Sequence, residues 1–123
     1  MSQENVEVLR RGYEALDRGD ADAWLEAFHP DVEAQVLRGR EGVGRIFALL
    51  RDTWADWRIE PERFLDAGDR VVVFVRMRAK GAGSGAEIEF ERAQVWSFRE
   101  GRATSMRVYK DRAEALEAVG LRE

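Results

Sequence analysis

The run VVVFV at residues 71–75 is the feature that most constrains this chain. Valine and phenylalanine favour strands, and successive side chains of a strand point to opposite faces of its sheet. Because every position of the run is apolar, both faces of this strand need cover from other parts of the protein. A chain of 123 residues is therefore expected to build a sheet with packed layers around one core.

Three further segments have the composition of strands. RIEPERFLDAGD precedes the valine run, and Pro61 predicts an edge strand or a bulge there, because proline has no N–H group to donate to a sheet. AEIEFERAQVWSFREG follows the run and alternates, so that Gln94, Trp96 and Phe98 share one face. REGR then turns the chain into RATSMRVYK. Together these segments predict a meander of antiparallel strands.

The first part of the sequence predicts two helices. The first helix has four apolar residues on one face: Val6, Leu9, Tyr13 and Leu16. Gly19 ends this helix, and Asp20 caps the second one. The second helix carries three large apolar residues: Trp24, Leu25 and Phe28. Pro30 ends it, because the residue before a proline avoids helical backbone angles, and DVEAQVL then forms a short strand.

A longer third helix is predicted from about Arg40 onward. Its apolar stripe consists of six residues: Val43, Ile46, Phe47, Leu50, Trp54 and Trp57. DRAEALEAVG forms a short C-terminal helix, with Asp111 as its N-cap and Gly120 at its end. Helices followed by an antiparallel meander are typical of an α+β fold. We expect one cone-shaped domain over residues 1–123, in which a curved sheet wraps the third helix and the first two helices close a pocket.

The composition argues against several classes of function. The 20 basic and 24 acidic residues give a net charge of −4 without a basic run, so no nucleic-acid partner is expected. KGAGSGAE predicts a hairpin loop, because it lacks the lysine and the helix of a phosphate-binding loop. With no cysteine and a single histidine, His29, we expect neither a metal nor another cofactor. A polar N-terminus and the lack of a long apolar stretch predict a cytoplasmic protein without membrane contact.

The outer face of the sheet generates a prediction about assembly. Helices are expected to cover only one face of the valine run. On the other face, three acidic residues are expected to pair with Arg76 and Arg78 across a hairpin: Glu87, Glu89 and Glu91. The apolar positions left on that face need cover, so we expect a homodimer that buries them. Sedimentation at micromolar concentration tests this assembly, and a stable monomer would contradict it.

Four stretches of the sequence carry a resemblance to a known family: YEALDRGDADAWLEAFHPDVE, RGREGV, DAGDRVVVFVR and VWSFREGRATSMRVYKDRAEALEAVGL. Together they resemble the SnoaL-like branch of the nuclear-transport-factor-2-like superfamily over essentially the whole chain. The resemblance implies the cone-shaped fold. Because the superfamily includes polyketide cyclases, ketosteroid isomerase, scytalone dehydratase, epoxide hydrolases and members with no demonstrated reaction, the resemblance implies no single activity.

The resemblance also points to positions where family enzymes carry polar groups. Their catalytic carboxylate corresponds to about Val36, which cannot transfer a proton, and a tryptophan of close relatives corresponds to Ala34. Gln94 stands where ketosteroid isomerase has a protonated aspartate and SnoaL-like relatives often have a histidine. Glutamine can donate a hydrogen bond to a carbonyl but is neither an acid nor a base near neutral pH. Tyr13 lies one residue out of register with the tyrosine of the isomerase.

Six residues are predicted to contact a ligand: Tyr13, Trp24, Phe28, Trp54, Gln94 and Met106. For the aromatic residues, packing in the core is an alternative that is compatible with lining a cavity. Gln94 either faces a ligand or makes a structural hydrogen bond. His29 is a weak catalytic candidate, because histidine is the usual general base, but a histidine before Pro30 at a helix end also has a purely structural explanation.

These residues predict a protein that binds a small apolar molecule bearing a carbonyl group. Lyase or isomerase chemistry of the cyclase kind is the activity that would accompany such binding. The alternative is a non-catalytic module of the same fold that binds a ligand or dimerises. The valine at the position of the family's base leaves open whether the chain is an enzyme.

Overall fold

The computed structural model describes residues 2–34, 37–38, 54–81 and 85–121. In chain order the elements are helices α1 (Ser2–Asp17) and α2 (Ala21–Leu25), strands β1 (Phe28–Ala34), β2 (Leu37–Arg38), β3 (Trp54–Asp66), β4 (Arg70–Gly81), β5 (Glu87–Arg99) and β6 (Arg102–Tyr109), and helix α3 (Arg112–Ala118). Helices followed by a long meander confirm the predicted α+β class. None of these helices is long and apolar enough to cross a membrane.

The six strands form one sheet in the order β2-β1-β6-β5-β4-β3. β1 runs parallel to β6, and the other neighbouring pairs are antiparallel. β3 is an edge strand, and its register with β4 shifts between Pro61 and Arg63, so the predicted edge strand with a bulge is confirmed. Between β5 and β6, Glu100 and Gly101 have φ angles of 55° and 76°, as a tight hairpin turn requires.

Helix α1 ends at Asp17, and the predicted glycine closes its C-terminus two residues later. Gly19 has a φ angle of 77°, a left-handed conformation that glycine adopts without strain. The N–H of Gly19 donates to the carbonyl of Leu16 at 3.1 Å, which satisfies part of the last turn. The Asp20 side chain then accepts a hydrogen bond from the N–H of Ala23 at 3.1 Å and caps α2 as predicted.

The second helix is shorter than predicted. It ends at Leu25, and Phe28, His29 and Pro30 lie in strand β1. Pro30 accounts for the difference between prediction and structure. It favours an extended conformation at His29, and this conformation occurs in strands as well as at helix ends. Phe28 pairs with Ala103 of β6, which fixes the extended backbone. The predicted position of His29 at a helix C-terminus is therefore wrong.

The helical prediction for Trp54 and Trp57 is also wrong. Both residues lie in β3, where Trp54 pairs with Gly81 and Trp57 with Ala79 of β4. Their spacing suits a helix, but pairing with a long neighbouring strand decides their conformation. The remainder of the predicted third helix lies outside the described residues, together with its apolar positions Val43, Ile46, Phe47 and Leu50.

The inner face of the sheet carries the main core. Val71, Val73 and Val75 of β4 lie on this face and are fully buried. The N-terminal half of the chain supplies large side chains that pack against them: Leu9, Tyr13, Trp24, Phe28 and Val32. The helices α1 and α2 therefore lie on one side of the valine run, and inward-facing side chains of β1, in the same sheet, complete this core.

The outer face of the sheet is covered by α3. Ala115 and Leu116 of this helix form a second core with Val72 and Phe74 of β4. The prediction that helices cover only one face is therefore wrong, because the short C-terminal helix has an apolar side that packs on the outer face. Because α3 buries Val72 and Phe74, these residues give no support to the predicted homodimer.

Two arginines hold α3 against the sheet. The guanidinium of Arg112, at the start of the helix, lies 4.5 Å from the ring centre of Phe74, and its Nη2 is 3.2 Å from Glu62. At the other end of the helix, Arg70 Nη1 donates to the carbonyl of Ala118 at 3.0 Å. A positive charge at a helix C-terminus also interacts favourably with the helix dipole.

Beyond α3, the outer face carries the predicted ladder of opposite charges. Arg76 lies opposite Glu91, and Arg78 lies opposite Glu89. Arg76 Nη1 is 2.5 Å from Glu89, and its Nη2 is 2.7 Å from Glu91. The hydrogen bond between Arg76 and Glu89 raises the pKa of the arginine and lowers the pKa of the carboxyl group. This part of the outer face is charged, whereas the centre of a protein–protein interface is usually depleted in charge.

We predict that Arg112→Ala lowers the free energy of unfolding by about 1 kcal/mol, because it removes the cation–π contact and the ion pairs that anchor α3. Urea unfolding measures the change. Arg107→Ala is the control, since Arg107 is exposed on β6, and its effect should stay within about 0.5 kcal/mol. Equal effects of the two substitutions would show that Arg112 does not anchor the helix.

Candidate functional site

A cluster of aromatic side chains fills the space between α1, α2 and the inner face of the sheet. The ring centres of Trp24 and Phe28 are 5.0 Å apart, and Trp96 lies 5.5 Å from Phe28. Tyr13 lies 5.6 Å from Trp24 and 6.0 Å from Phe64 of β3. Two of these four pairs, Tyr13–Phe64 and Trp24–Phe28, meet edge to face, the arrangement that the charge distribution of aromatic rings favours.

Gln94 is a polar side chain at the centre of this apolar surface. On β5 it pairs with Val73 of β4 and Val108 of β6, and its side chain is only 7% exposed. Within the described parts of the chain it is the one buried side chain that is polar or charged, the tyrosine aside. A buried amide needs hydrogen-bond partners, because leaving it unpaired costs about 1–3 kcal/mol.

Two neighbours supply donors to the Gln94 side-chain oxygen. The Tyr13 hydroxyl donates a short hydrogen bond to Oε1. The indole Nε1–H of Trp96, two residues along β5, donates to the same oxygen at 3.2 Å. Both lone pairs of Oε1 are thereby used, and no described residue accepts a hydrogen bond from the Nε2 hydrogens. The Nε2 group therefore donates no hydrogen bond to the described residues.

The Tyr13 hydroxyl is held in its neutral form. Burial raises the pKa of Tyr13, and the hydrogen bond with Trp96 opposes that shift only in part. A phenol with a raised pKa is a poor base near neutral pH, because its deprotonated form is hardly populated. Tyr13, Gln94 and Trp96 thus form a hydrogen-bonded group that does not exchange a proton at ordinary pH.

The structure brings together four of the six predicted ligand contacts: Tyr13, Trp24, Phe28 and Gln94. Met106 adjoins them, because it pairs with Trp96 across β5 and β6 and packs against the same core. Trp54 begins β3, and its side chain is outside the described part of the structure, as is Val36. Trp96 was predicted only as an apolar neighbour of Gln94. The spacing of two residues on one strand was the signal that its N–H could reach the amide.

His29 points to a different environment. Its Nε2 lies 3.3 Å from Nη2 of Arg99, and its neighbour Phe28 is the residue that enters the aromatic cluster. Since successive side chains of a strand face opposite sides, His29 faces away from the cluster. This position places His29 outside the aromatic cluster.

A separate cavity lies beside the end of α1. Its volume is about 280 Å³, and it is lined by Leu16, Asp17, Trp57, Arg58 and Ile59. Arg58 is paired with Asp17 at 3.0 Å across the cavity wall. Because Leu16, Trp57 and Ile59 also pack against the main core, this cavity adjoins the aromatic cluster. Among the described residues, no three His, Cys, Asp or Glu side chains come close enough together to hold a metal ion.

The fold and these residues can be compared with known proteins. The model of the SnoaL-like domain family matches residues 9–106, which include Tyr13, Gln94 and Trp96. The chain belongs to the SnoaL-like domain family. No curated protein matches this chain.

Solved structures agree with this family and with the fold. A nuclear-transport-factor-2-like protein of unknown function from Burkholderia pseudomallei K96243 is 26% identical, with a TM-score of 0.79 over 94% of this chain and 97% of the other. TerC, crystallised with polyporic acid, is also 26% identical, with a TM-score of 0.77 over 95% of this chain and 98% of TerC. A candidate SnoaL-like polyketide cyclase from Jannaschia sp. CCS1 is 21% identical, with a TM-score of 0.78 over 99% and 95% of the two chains, and this likeness shows the fold alone.

The raised pKa of Tyr13 generates a prediction about alkaline pH. Because folding favours the neutral phenol, the stability that Tyr13 contributes is fully present below its unfolded pKa of about 10 and is lost as the pH rises further. Tyr13→Phe should therefore destabilise the protein by about 1 kcal/mol at pH 8. The gap between the two proteins should shrink above about pH 10.

Urea unfolding of both proteins between about pH 8 and pH 11 measures this gap. The wild-type protein and Tyr13→Phe share all other titratable groups, so the effects of those groups cancel in the difference between the two free energies of unfolding. A gap that stays constant or widens with pH would show that burial does not hold Tyr13 in its neutral form.

Proposed function

We propose that this SnoaL-like domain binds a small apolar molecule that bears a carbonyl group, with the carbonyl oxygen at Gln94. The observation that carries the proposal is the Gln94 amide, which is buried among aromatic rings while its Nε2 hydrogens remain available. An apolar surface with few convergent polar groups is the usual character of a ligand site. Tyr13, Trp24, Phe28 and Met106 would supply the apolar contacts, and Trp54 is proposed with them.

The same residues limit the chemistry that we propose. A hydrogen bond from Gln94 would polarise the carbonyl, but an amide neither accepts nor releases a proton near neutral pH. Burial raises the pKa of Tyr13, so this phenol does not supply a base. His29 lies beside Arg99, and Val36 cannot transfer a proton. We therefore propose binding without efficient isomerisation of a ketosteroid, and lyase or isomerase activity would need a base outside the described cluster.

Two related structures support ligand binding of this kind. TerC was crystallised with polyporic acid, and the protein from Jannaschia sp. CCS1 is described as a candidate polyketide cyclase. Their shared fold makes an organic ligand a reasonable first choice for this chain, and polyporic acid is a probe that can be used directly. We propose no cofactor, because the described cluster consists of aromatic, aliphatic and amide groups, which are poor metal ligands.

The alternative function is a non-catalytic module that binds a ligand or forms a homodimer. The feature that favours it is the lack of an acid or base in the described cluster, since binding and assembly need neither. Sedimentation of the ligand-free protein at micromolar concentration distinguishes the two forms of the alternative. A dimer that binds no organic ligand would support the module that dimerises. A monomer that binds such a ligand would contradict the predicted homodimer.

We predict that Gln94→Leu weakens binding of the ketone acetylnaphthalene by about five- to tenfold, because it removes a hydrogen bond of about 1 kcal/mol. Isothermal titration calorimetry measures the dissociation constant, with polyporic acid as a second probe. Ethylnaphthalene, which has a similar shape and no carbonyl, is the matched ligand, and its affinity should change little. Gln94→Met, whose side chain has nearly the same length, repeats the test in case leucine disturbs the core.

Equal losses for acetylnaphthalene and ethylnaphthalene would contradict the role of Gln94 as a carbonyl donor. A second measurement addresses catalysis. Turnover of a β,γ-unsaturated ketosteroid by the unmodified protein, undiminished in His29→Ala, would show that an acid or base other than those named above reaches the ligand.

A further inference from the structure

We infer that Trp96 locks the amide of Gln94 in one orientation, and that this lock makes the site selective for ligands that accept a hydrogen bond. The inference rests on the proposed ligand site and specifies what such a site prefers. It depends on three side chains: Gln94, Trp96 and Tyr13.

A glutamine amide has two ends with opposite hydrogen-bonding character. Its oxygen only accepts, and its NH₂ group only donates. Rotation by half a turn about the last side-chain bond exchanges the two ends at almost no steric cost, because they have nearly the same size. A binding site with an unrestrained glutamine can therefore receive either a donor or an acceptor.

The two neighbours of Gln94 differ in how far they restrict this rotation. A tyrosine hydroxyl can donate to the amide oxygen or accept from the amide NH₂, so Tyr13 alone is compatible with both orientations. An indole N–H can only donate. Trp96 Nε1 lies 3.2 Å from Gln94 Oε1, and at that position an NH₂ group would place two donors against each other. Trp96 is therefore the residue that decides the orientation.

The geometry of β5 makes this lock possible. Gln94 and Trp96 are two residues apart on the strand, so their side chains lie on the same inner face. Both are buried, with exposures of 7% and 2%, so few water molecules can compete for the indole N–H. Rings on three sides restrain the indole: Trp96 lies 5.5 Å from Phe28, 6.1 Å from Trp24 and 6.5 Å from Tyr13.

The consequence concerns which ligands the site prefers. With Oε1 engaged by Tyr13 and Trp96, the group left for a ligand is the NH₂ of Gln94, which donates. Ketones, aldehydes, esters and quinones present acceptors that match it. A ligand whose polar group must donate finds no acceptor at Gln94, and a buried donor without a partner costs about 1–3 kcal/mol. Trp96 is thus a positioning residue, and Gln94 is the group that would touch the ligand.

Calorimetry with two aromatic ligands of similar size tests the lock through selectivity. Acetylnaphthalene only accepts a hydrogen bond, whereas benzoindole only donates one, through its N–H. In the wild-type protein the ketone should bind more tightly. Trp96→Phe, which keeps a ring but removes the N–H, should shift the ratio of the two dissociation constants toward benzoindole by about fivefold.

A control variant separates this effect from general damage to the core. Trp24→Phe changes the same aromatic cluster without a hydrogen bond to Gln94, so it should weaken both ligands by the same factor. A ratio that is unchanged in Trp96→Phe, or that shifts equally in Trp24→Phe, would overturn the assignment of the lock to Trp96.

A measurement without ligand keeps the inference distinct from the proposed function. In NMR spectra of the ¹⁵N-labelled protein, the nuclear Overhauser contact between the Gln94 NH₂ hydrogens and the Tyr13 ring should be weak, because the amide oxygen faces Tyr13. In Trp96→Phe this contact should become stronger as both orientations become populated. If neither ligand binds but this change occurs, the ligand site is wrong and the lock is right. If the ligands bind and the contact stays weak in Trp96→Phe, the lock is wrong.

Discussion

The five apolar side chains of residues 71–75 leave the centre of β4 without a side that can face water, and each of them is at most 1% exposed. Their burial requires a layer on each face of the sheet. Helices α1 and α2 contribute to the inner layer, and α3 supplies the outer one. The short C-terminal helix is as necessary for burying β4 as the longer N-terminal one, because Val72 and Phe74 would otherwise be exposed to solvent.

This two-sided requirement also produces the environment of the candidate site. Gln94 lies directly opposite Val73, at the middle of the valine run, so its amide is surrounded by the side chains that bury the inner face. An amide at such a position has to be satisfied locally, and Tyr13 and Trp96 satisfy its oxygen. The NH₂ group has no acceptor among the described residues, and it is the group that we propose to bind the ligand. A polar group in this setting contributes specificity, because a ligand without a matching acceptor leaves the group unpaired and therefore binds with a less favourable free energy.

The sequence predicts much of the architecture because several signals are local. Gly19 and Asp20 act within one turn of the chain, and the alternation of β5 places Gln94 and Trp96 on one face. The errors arise where a distant partner decides. Phe28 and Trp57 have helical spacing, but pairing with β6 and β4 makes them strand residues. The face covered by α3 could not be predicted either, since a seven-residue helix does not reveal which surface it will meet.

Four members of the described cluster were predictable, but their hydrogen bonds were not. Gln94, Tyr13, Trp24 and Phe28 were each recognisable, the first from its polarity among apolar neighbours and the others from their size. The hydrogen bond between Tyr13 and Gln94 joins residues 81 positions apart, and the packing of α1 against the inner face of the sheet brings them together. The spacing of residues likewise cannot predict whether a group from elsewhere in the chain takes the place of the family's base, which corresponds to about Val36.

The central claim is that a ligand meets this chain at the Gln94 amide, and an NMR titration of the ¹⁵N-labelled protein with acetylnaphthalene tests it most directly. The account predicts that the side-chain amide signals of Gln94 and the indole signal of Trp96 move as the ligand is added. The cavity beside Trp57 and Arg58 is the competing location. Shifts confined to the indole of Trp57 and its neighbours, with the Gln94 amide unchanged, would contradict the account.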